Sequence, residues 1–317
     1  MPRSRYRFTN LDGSEPHELG KVLQWAVVDR VLGRRRPHPG AAAAPRITPD
    51  ISALKQPPAP GEGVRLTWIG HASWLVQLDG VSLLIDPVLS DSLGPGIRRR
   101  VPAALSWAEL PSIDAQLVTH NHRDHLDLPS LERVRRPVIA GLGLKRFFAR
   151  HALLCTELDW WEETKVGAVA VRFVPSQHWS RRGLSDANET LWGGFVVEGS
   201  SARFYHSGDT AYFDGFTEIG KRSGPIDAAL LPIGAYDPQW FMGTQHLNPE
   251  EAVRAYTDLG AREFVAMHWG TFQLTDEALD EPPLRLHAEW QRRGLQPAHC
   301  HVPPIGGSLH FGAVPAR

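Results

Sequence analysis

The sequence predicts an α/β fold. Apolar runs of strand length alternate with segments that repeat at helical spacing. Several of these runs end in histidine or aspartate, residue types that bind metal ions. The amino-acid composition does not change abruptly anywhere after residue 62, as it often does at a domain boundary. We therefore expect one catalytic domain over residues 62–317, with a helix and an extended segment over residues 1–61 packed on its core.

The first 61 residues contain one predicted helix and a linker. Apolar residues at roughly helical spacing predict a helix over residues 15–36 that ends in three arginines. Residues 37–61 are rich in proline, alanine and glycine, which is typical of a linker or a strap laid over the body. The alternative is a basic amphipathic segment that touches a membrane surface. We favour packing on the core, because the apolar face is short.

Strands and helices follow one another through the rest of the chain. The predicted strands are residues 64–69, 74–78, 81–85, 115–118, 166–175, 195–198, 202–206, 263–267 and 305–311. The predicted helices are residues 128–136, 144–150 and 249–259. Asp79-Gly80 is typical of a tight hairpin turn, and Gly199-Ser200 separates the two strands of a second hairpin.

The helix over residues 249–259 has the clearest boundaries. Asn248 is a preferred N-cap residue, and Pro249 suits the first helical position. Two glutamates follow at the positive end of the helix dipole. Gly260 is the residue type that most often follows the end of a helix.

The run from Thr119 to Asp127 reads Thr-His-Asn-His-Arg-Asp-His-Leu-Asp and is the most informative motif of the chain. It follows an apolar strand, and loops held at the end of a strand often carry catalytic groups. Its candidate metal ligands are His120, His122, Asp124 and His125. A single histidine would be ascribed to the surface or the core, but packing does not explain four ligands within six residues.

The spacing of the motif indicates two metal ions side by side. In an extended loop, side chains two residues apart point the same way, so His120 and His122 can bind one ion. Asp124 and His125 begin the next turn, face elsewhere and suit a second ion.

Three later strand ends supply further candidates. His178, Asp209 and His268 each follow an apolar run. Asp209 suits a bridging position, because a carboxylate offers two oxygens and Gly208 leaves room beside it. The predicted set is His120, His122 and His178 on the first ion, Asp124, His125 and His268 on the second, and Asp209 on both. Nitrogen-rich mixed ligation favours Zn²⁺, with Fe and Mn as alternatives.

Composition excludes several classes of protein. The net charge is −1, with 34 basic and 35 acidic residues, which argues against a nucleic-acid partner. Cys155 and Cys300 are the two cysteines, so neither a disulfide framework nor a cysteine-type zinc site is expected. The N-terminus lacks the apolar core of a signal peptide, and no apolar stretch is long enough to cross a membrane. We therefore expect a soluble cytoplasmic protein.

These motifs resemble the metallo-β-lactamase superfamily, which is marked by a His-x-His-x-Asp-His loop followed by a later His, Asp and His. The likeness is closer still to the N-acylphosphatidylethanolamine phospholipase D branch and covers about residues 60–285. Its most specific blocks are Trp160-Trp161-Glu162-Glu163, Ser176-Gln177-His178-Trp179 and His268-Trp269-Gly270-Thr271-Phe272.

The resemblance implies an αββα sandwich, two mixed sheets flanked by helices, with the metals at one edge of the sheets. It also implies the same ligand assignment, a homodimer, and a place for His246 near the substrate. Two positions depart from the branch. Arg123 stands where Tyr is more usual, and Ala211 stands where Gly is familiar.

The expected function is hydrolysis of N-acylphosphatidylethanolamine-like phospholipids by a phosphodiesterase of phospholipase D type, through a metal-bridging hydroxide. Asp124 would orient the hydroxide or accept its proton, and His246 would donate to the phosphoryl oxygen or the leaving group. For His246 the alternative is a hydrogen-bonded structural histidine. The other functions left open are hydrolysis of another ester, such as a lactone or a small phosphodiester, and metal or lipid binding without catalysis.

Other residues are expected to support the site or contact the substrate. His71 and Asp86 are predicted to hold the ligands by hydrogen bonds. Trp240, Phe241 and Met242 form an apolar loop before His246, which indicates an apolar substrate or peripheral contact with a membrane. Arg123 lies between two ligands, where it can alter head-group preference.

Overall fold

The computed structural model describes residues 7–17, 19–36, 44–183 and 185–312. The strands are β1 (Val64–Gly70), β2 (Ser73–Leu78), β3 (Val81–Ile85), β4 (Ser92–Gly94), β5 (Ile97–Arg98), β6 (Ala115–Val118), β7 (Val138–Gly141), β8 (Cys155–Leu158), β9 (Glu163–Val166), β10 (Val169–Val174), β11 (Gly194–Glu198), β12 (Arg203–His206), β13 (Ala228–Pro232), β14 (Glu263–Met267), β15 (Cys300–His301) and β16 (Ser308–Phe311). The helices are α1 (Leu19–Leu23), α2 (Asp29–Val31), α3 (Ile51–Leu54), α4 (Leu128–Val134), α5 (Lys145–Ala149), α6 (Gly215–Ser223), α7 (Gln239–Met242), α8 (Pro249–Leu259) and α9 (Glu281–Arg292). A π-helical turn (Gln24–Val28) joins α1 to α2, and these three pieces are called the N-terminal helix below.

Two seven-stranded sheets dominate the molecule, with strand orders β16-β1-β2-β3-β6-β7-β8 and β15-β14-β13-β12-β11-β10-β9. Each sheet is antiparallel in one half and parallel in the other, changing at β3 in the first sheet and at β12 in the second. The carboxyl ends of parallel strands lie at one edge of a sheet, where ligands of α/β proteins commonly bind. This edge carries the predicted metal ligands.

The two sheets face each other across the main core. One hydrophobic cluster contains buried residues of both sheets, and a Cβ atom added at Gly141 of β7 would lie 3.0 Å from the ring of Phe173 in β10. Helix α8 packs against α6, α9 and β13 on the outside of the second sheet. The αββα sandwich of two mixed sheets is therefore confirmed. None of the described helices is both long enough and apolar enough to cross a bilayer.

Most of the predicted elements are present, and local chemistry explains their boundaries. Around α8, the Asn248 side chain accepts from the Glu251 N–H at 2.8 Å and Glu251 accepts from the Asn248 N–H at 3.1 Å, which forms a capping box. Gly260 ends this helix at φ 68°. Asp79 and Gly80 both have positive φ and form the expected hairpin turn.

Three expectations for residues 51–311 need correction. The predicted strand over residues 166–175 begins only at Val169, because Gly167 turns the chain at φ 59° between β9 and β10. The expected closing strand over residues 305–311 begins only at Ser308, because Gly306 turns the chain at φ 92°. Residues 51–54 of the predicted linker are helical, because the Asp50 side chain accepts from two N–H groups of the first turn.

The N-terminal helix is shorter than the predicted span of residues 15–36. Its described part runs from Leu19 to Val31, and Gly33 ends it at φ 64°. Residues 7–17 instead form a non-helical segment along the domain, which is called the strap below. In this segment the Phe8 N–H donates to the Asn188 carbonyl at 3.1 Å. Residues 37–43 of the predicted linker lie outside the described residues.

Candidate metal centre

The seven predicted ligand residues meet at one edge of the sandwich. His120, His122, Asp124 and His125 lie on the loop after β6, and His178, Asp209 and His268 follow β10, β12 and β14. Five of the seven are buried, and His122 and Asp124 are half-buried. Residues separated by up to about 150 positions in the chain thus share one small site.

Three imidazole nitrogens form the first group, which comprises His120, His122 and His178. Nδ1 of His122 lies 2.9 Å from Nε2 of His120 and 3.2 Å from Nε2 of His178. All three nitrogens therefore face one point, and one metal ion can occupy it.

The second group comprises Asp124, His125 and His268. Oδ2 of Asp124 lies 3.7 Å from Nε2 of His125 and 3.6 Å from Nε2 of His268. Two nitrogens and one carboxylate oxygen thus face a second point, which a second ion could occupy.

Asp209 lies between the two groups. Its Oδ2 atom is 3.1 Å from Nε2 of His125, and 4.0 Å and 3.9 Å from Nε2 of His120 and His178. Its Oδ1 atom is 3.1 Å from Nε2 of His268. This carboxylate faces both groups, as a bridging ligand would.

Unsatisfied polar atoms show that the residues fit a metal. Oδ1 of Asp209 and the Nε2 atoms of His125 and His268 are buried and make no hydrogen bond. A buried polar atom left unpaired costs about 1–3 kcal/mol, so several of them pointing at one place indicate a ligand that pairs with all of them. The mixed nitrogen and carboxylate set suits Zn²⁺, Fe or Mn.

Hydrogen bonds set the orientation of the ligand rings. Nδ1–H of His125 donates to Oδ2 of the fully buried Asp86 at 2.7 Å, and Nδ1–H of His178 donates to the Gln245 carbonyl at 2.8 Å. The lone pair of each Nε2 then faces the centre. Asp86 also accepts from the N–H and the hydroxyl of Thr119, at 2.8 and 2.7 Å, and so anchors the start of the metal loop.

His71 supports the second group. Its Nε2 lies 3.0 Å from Oδ2 of Asp124, and its carbonyl accepts from the His268 N–H at 3.0 Å. Burial lowers the pKa of His71 to about 3, so the neutral ring donates to Asp124. His71, Asp86 and His268 all adopt positive φ, and such left-handed strain in non-glycine residues is concentrated at functional sites.

Protonation in the first ligand group favours metal binding, whereas in the second group burial is outweighed by the carboxylates of Asp209 and Asp124, which raise the pKa of His268 to about 9 and that of His125 well above its usual range. Burial lowers the pKa of His120 and His178 well below the usual value and lowers that of His122 to about 4. These rings are therefore neutral at pH 7. Burial alone raises the pKa of Asp209, but the neighbouring imidazoles of the second group outweigh it and hold that pKa well below its usual range.

His246 lies beside the centre without supporting any ligand by a hydrogen bond. Its Nδ1 atom is 3.8 Å from Oδ2 of Asp209 and makes no hydrogen bond, and its ring centroid is 5.1 Å from that of His178. Burial lowers its pKa to about 4, so the ring is neutral at pH 7. A neutral imidazole at this position can donate to a group held at the centre.

A cleft of about 460 Å³ leads to the two ligand groups. Arg123, Phe241 and Met242 line it, as the sequence predicts, but Trp240 does not and is 45% exposed. Successive residues of the short helix α7 point about 100° apart, so these three neighbours cannot all face the cleft.

Part of the cleft wall comes from the N-terminal helix, which sequence reasoning did not include in the site. Val22 and Trp25 line the cleft, and the Trp25 ring stacks on Phe241 with centroids 5.1 Å apart. His17 donates from Nε2 to the Phe241 carbonyl at 2.6 Å. The predicted amphipathic pattern was the only signal for these residues, and it does not say what the helix packs on.

Asn10 is a second residue that sequence reasoning missed. Its Nδ2 donates to the His178 carbonyl at 2.9 Å, and its Oδ1 accepts from the His178 N–H at 3.1 Å and from Trp192 Nε1 at 3.1 Å. The strap thereby holds the backbone of one candidate ligand on both sides. The two residues are 168 positions apart, and a lone asparagine in the sequence carries no signal of this contact.

We expect Asn10→Ala to weaken metal binding by roughly 10- to 100-fold, the usual effect of losing a hydrogen-bonding partner of a ligand. Chelator competition on the full chain measures this, and urea unfolding of the metal-free protein separates it from a loss of stability. Asp12→Ala is the matched control, because Asp12 lies in the same strap but pairs with the Gln177 side chain at 2.8 Å. Equal losses in both variants would contradict a specific role of Asn10.

Comparisons with known proteins agree with this geometry. Residues 82–269 match a family model described as a beta-lactamase superfamily domain. An isothiocyanate hydrolase from Delia radicum gut bacteria shares the fold, with a TM-score of 0.64 at 20% identity over 79% of this chain and 100% of that chain. The chain therefore belongs to the metallo-β-lactamase superfamily.

Within the superfamily, the chain is a metal-dependent hydrolase that resembles the N-acylphosphatidylethanolamine phospholipase D branch. The N-acyl-phosphatidylethanolamine-hydrolyzing phospholipase D 1 of Caenorhabditis elegans is 39% identical in an alignment of length 241 that covers 69% of this chain and 68% of that protein. An uncharacterized protein of Mycobacterium tuberculosis is 37% identical in a gapped alignment of length 327 that covers 98% of this chain and 84% of that protein. That second alignment takes in most of the N-terminal segment.

Proposed function

We propose that this chain is a phosphodiesterase of phospholipase D type that acts on N-acylphosphatidylethanolamine-like phospholipids at a dinuclear, zinc-type centre. The observation that carries the proposal is the two-part lining of the cleft above that centre. Val22 and Trp25 of the N-terminal helix and Phe241 and Met242 of α7 form an apolar part of the lining, in which Trp25 stacks on Phe241. Arg123 lies on the metal loop and Arg182 against it, and both bring guanidinium groups to the lining. An amphiphile with an anionic phosphate matches both parts.

Two bound cations would supply a water of lowered pKa and positive charge for the phosphoryl oxygens. The residues of the chain then act around the reacting phosphate. Asp124 is held at Oδ2 by His71, so its ionised carboxylate is oriented to accept a proton from the attacking water. His246 lies on the cleft side, and its neutral ring would donate a hydrogen bond to the leaving oxygen, while the proton that Asp124 takes from the water would pass to the leaving alcohol.

The outer face of the N-terminal helix supports contact with a lipid surface. Leu23, Val27 and Val31 recur at a spacing of four residues and are 56%, 48% and 78% exposed. Lys21 and Arg30 are exposed on the same helix. Because the inner face of this helix lines the cleft, we propose that the outer face lies on the membrane that holds the substrate.

The proposal is tested by incubating the metal-loaded full chain with N-acylphosphatidylethanolamine, a nitrophenyl phosphodiester and a long-chain lactone. Each lipid is presented in detergent micelles and in vesicles. We expect release of phosphatidic acid, with faster turnover on vesicles because the helix would dock there. Asp209→Ala protein provides the background rate.

Hydrolysis of neither phosphodiester by protein that carries two metals would refute the proposed function. Hydrolysis of the lactone alone would identify a carboxylic ester hydrolase on the same fold, since fold does not determine substrate. Vesicle co-sedimentation checks the proposed membrane contact separately from turnover.

A further inference from the structure

Arg123 lines the cleft and has no partner among the residues that the structure describes. It lies between the candidate ligands His122 and Asp124, is exposed and lines the cleft. Among the described residues it makes neither an ion pair nor a hydrogen bond. A cation beside the candidate metal centre is available to a ligand, because none of the described side chains competes for it.

Arg182 is a second guanidinium in the lining of the cleft, and it is held in place. Its Nη1 donates to the carbonyls of Asn121 at 3.2 Å and Leu126 at 2.8 Å, at either end of the metal loop. Its guanidinium also lies 5.5 Å from the ring centroid of Phe147. These contacts fix its position relative to the centre.

Among the described residues, no carboxylate forms an ion pair with either of these two arginines. Asp127 accepts from the Ser90 hydroxyl at 2.6 Å, and Asp186 accepts from the backbone N–H groups of Arg182 and Gly183. Neither aspartate forms an ion pair with Arg123 or Arg182 among the described residues. Burial, and then the nearby charge of Arg123, lower the pKa of Arg182, and the charges of Asp127 and Asp186 oppose this only in part.

The two parts of the lining give the substrate a direction. The acyl chains would lie along the apolar part, and the head group would then lie towards the arginines. The metal ions of the centre would balance the negative charge of the phosphodiester itself. The two guanidiniums can therefore pair with a second negative charge on the head group.

We propose that Arg123 and Arg182 form a subsite for a head group that carries its own anionic group, a carboxylate or a phosphate. The proposal rests on the proposed function and names the preferred substrate within it. Arg123 determines specificity, because it is unpaired. Arg182 also holds the metal loop, so its replacement would disturb the centre as well as the subsite.

The test uses two phospholipids with the same acyl chains and nearly the same head group, N-succinyl- and N-butyryl-phosphatidylethanolamine. The first has a terminal carboxylate where the second has a methyl group. For the metal-loaded full chain we expect kcat/KM to be about tenfold higher for the N-succinyl lipid, as for one charge-assisted contact. The preference should shrink as salt concentration rises, because the subsite is open to solvent.

Arg123→Gln and Arg123→Tyr should both bring the ratio close to one, mainly by lowering kcat/KM for the N-succinyl lipid. Arg262→Gln is the matched control. Like Arg123→Gln, it removes one positive charge. Arg262 directly precedes β14 and pairs with Asp227, whereas His268 directly follows β14, so this variant should keep the preference for the N-succinyl lipid.

The outcomes separate this inference from the proposed function. Equal hydrolysis of the two lipids by the unaltered chain would overturn the subsite and leave the proposed function standing. A preference that survives in both Arg123 variants would also overturn the assignment to Arg123. Hydrolysis of neither lipid, with two metals bound, would overturn the proposed function and the subsite with it.

Discussion

Replacing His120 by alanine is expected to lower activity by roughly three orders of magnitude or more, because the bound metals are expected to supply the nucleophile. Nε2 of His120 lies 2.9 Å from Nδ1 of His122 and 4.0 Å from Oδ2 of Asp209. Its loss would remove one of the three nitrogen ligands of the first ion, next to the predicted bridging carboxylate. Elemental analysis should show less than two metals per chain, measured together with turnover of a phosphodiester.

His151→Ala provides the control for this variant, because His151 pairs with Glu132 at the surface at 2.9 Å, away from the centre. It should keep both metals and full activity. Unfolding of the metal-free proteins shows whether His120→Ala also loses stability, since it removes a side chain that is 1% exposed. A His120→Ala protein with two metals and normal turnover would contradict the ligand assignment.

His246→Ala is expected to keep both metals and to lower kcat by about 10²- to 10³-fold, the usual effect of losing one hydrogen-bond donor to the negative charge that develops in the transition state. The metals should remain because the hydrogen bonds that orient the ligand residues come from Asp86, Gln245 and His71 and not from His246. Its Nδ1 is unpaired and 3.8 Å from Oδ2 of Asp209, within reach of a group bound at the centre.

Leaving-group dependence identifies the role of His246. A nitrophenolate leaves without a proton, so the loss in His246→Ala should be much smaller on a nitrophenyl diester than on a phospholipid. His246→Gln, which keeps a hydrogen-bond donor, should recover part of the rate. Loss of a metal from His246→Ala would instead make His246 a ligand, and an equal loss on both substrates would make it a structural residue.

The ligand loop could be predicted because its information is local. Four candidate ligands stand within six residues at the end of an apolar strand, and the direction of neighbouring side chains follows from backbone geometry. His178, Asp209 and His268 could be found for a related reason. Each follows an apolar run, and strand ends of one sheet meet at one edge.

Contacts that join distant segments could not be predicted in this way. Asn10 holds the backbone of His178 across 168 residues, and Val22 and Trp25 reach the cleft from a helix that the pattern placed only on the core. Periodicity shows that a helix has an apolar face, but it does not identify the surface that the face meets. Trp240 shows the opposite case: the sequence predicted that it contacts the substrate because it belongs to an apolar loop, but it does not line the cleft.

By itself the sequence determined the α/β class, the strand ends and the residue types of the metal centre, because short-range spacing and side-chain chemistry carry that information. Only the tertiary structure decided which nitrogen of each histidine faces the centre, that Asp209 faces both ligand groups, and that the strap and the N-terminal helix complete the site. These features depend on the packing of segments far apart in the chain, and no local pattern records which segments will meet.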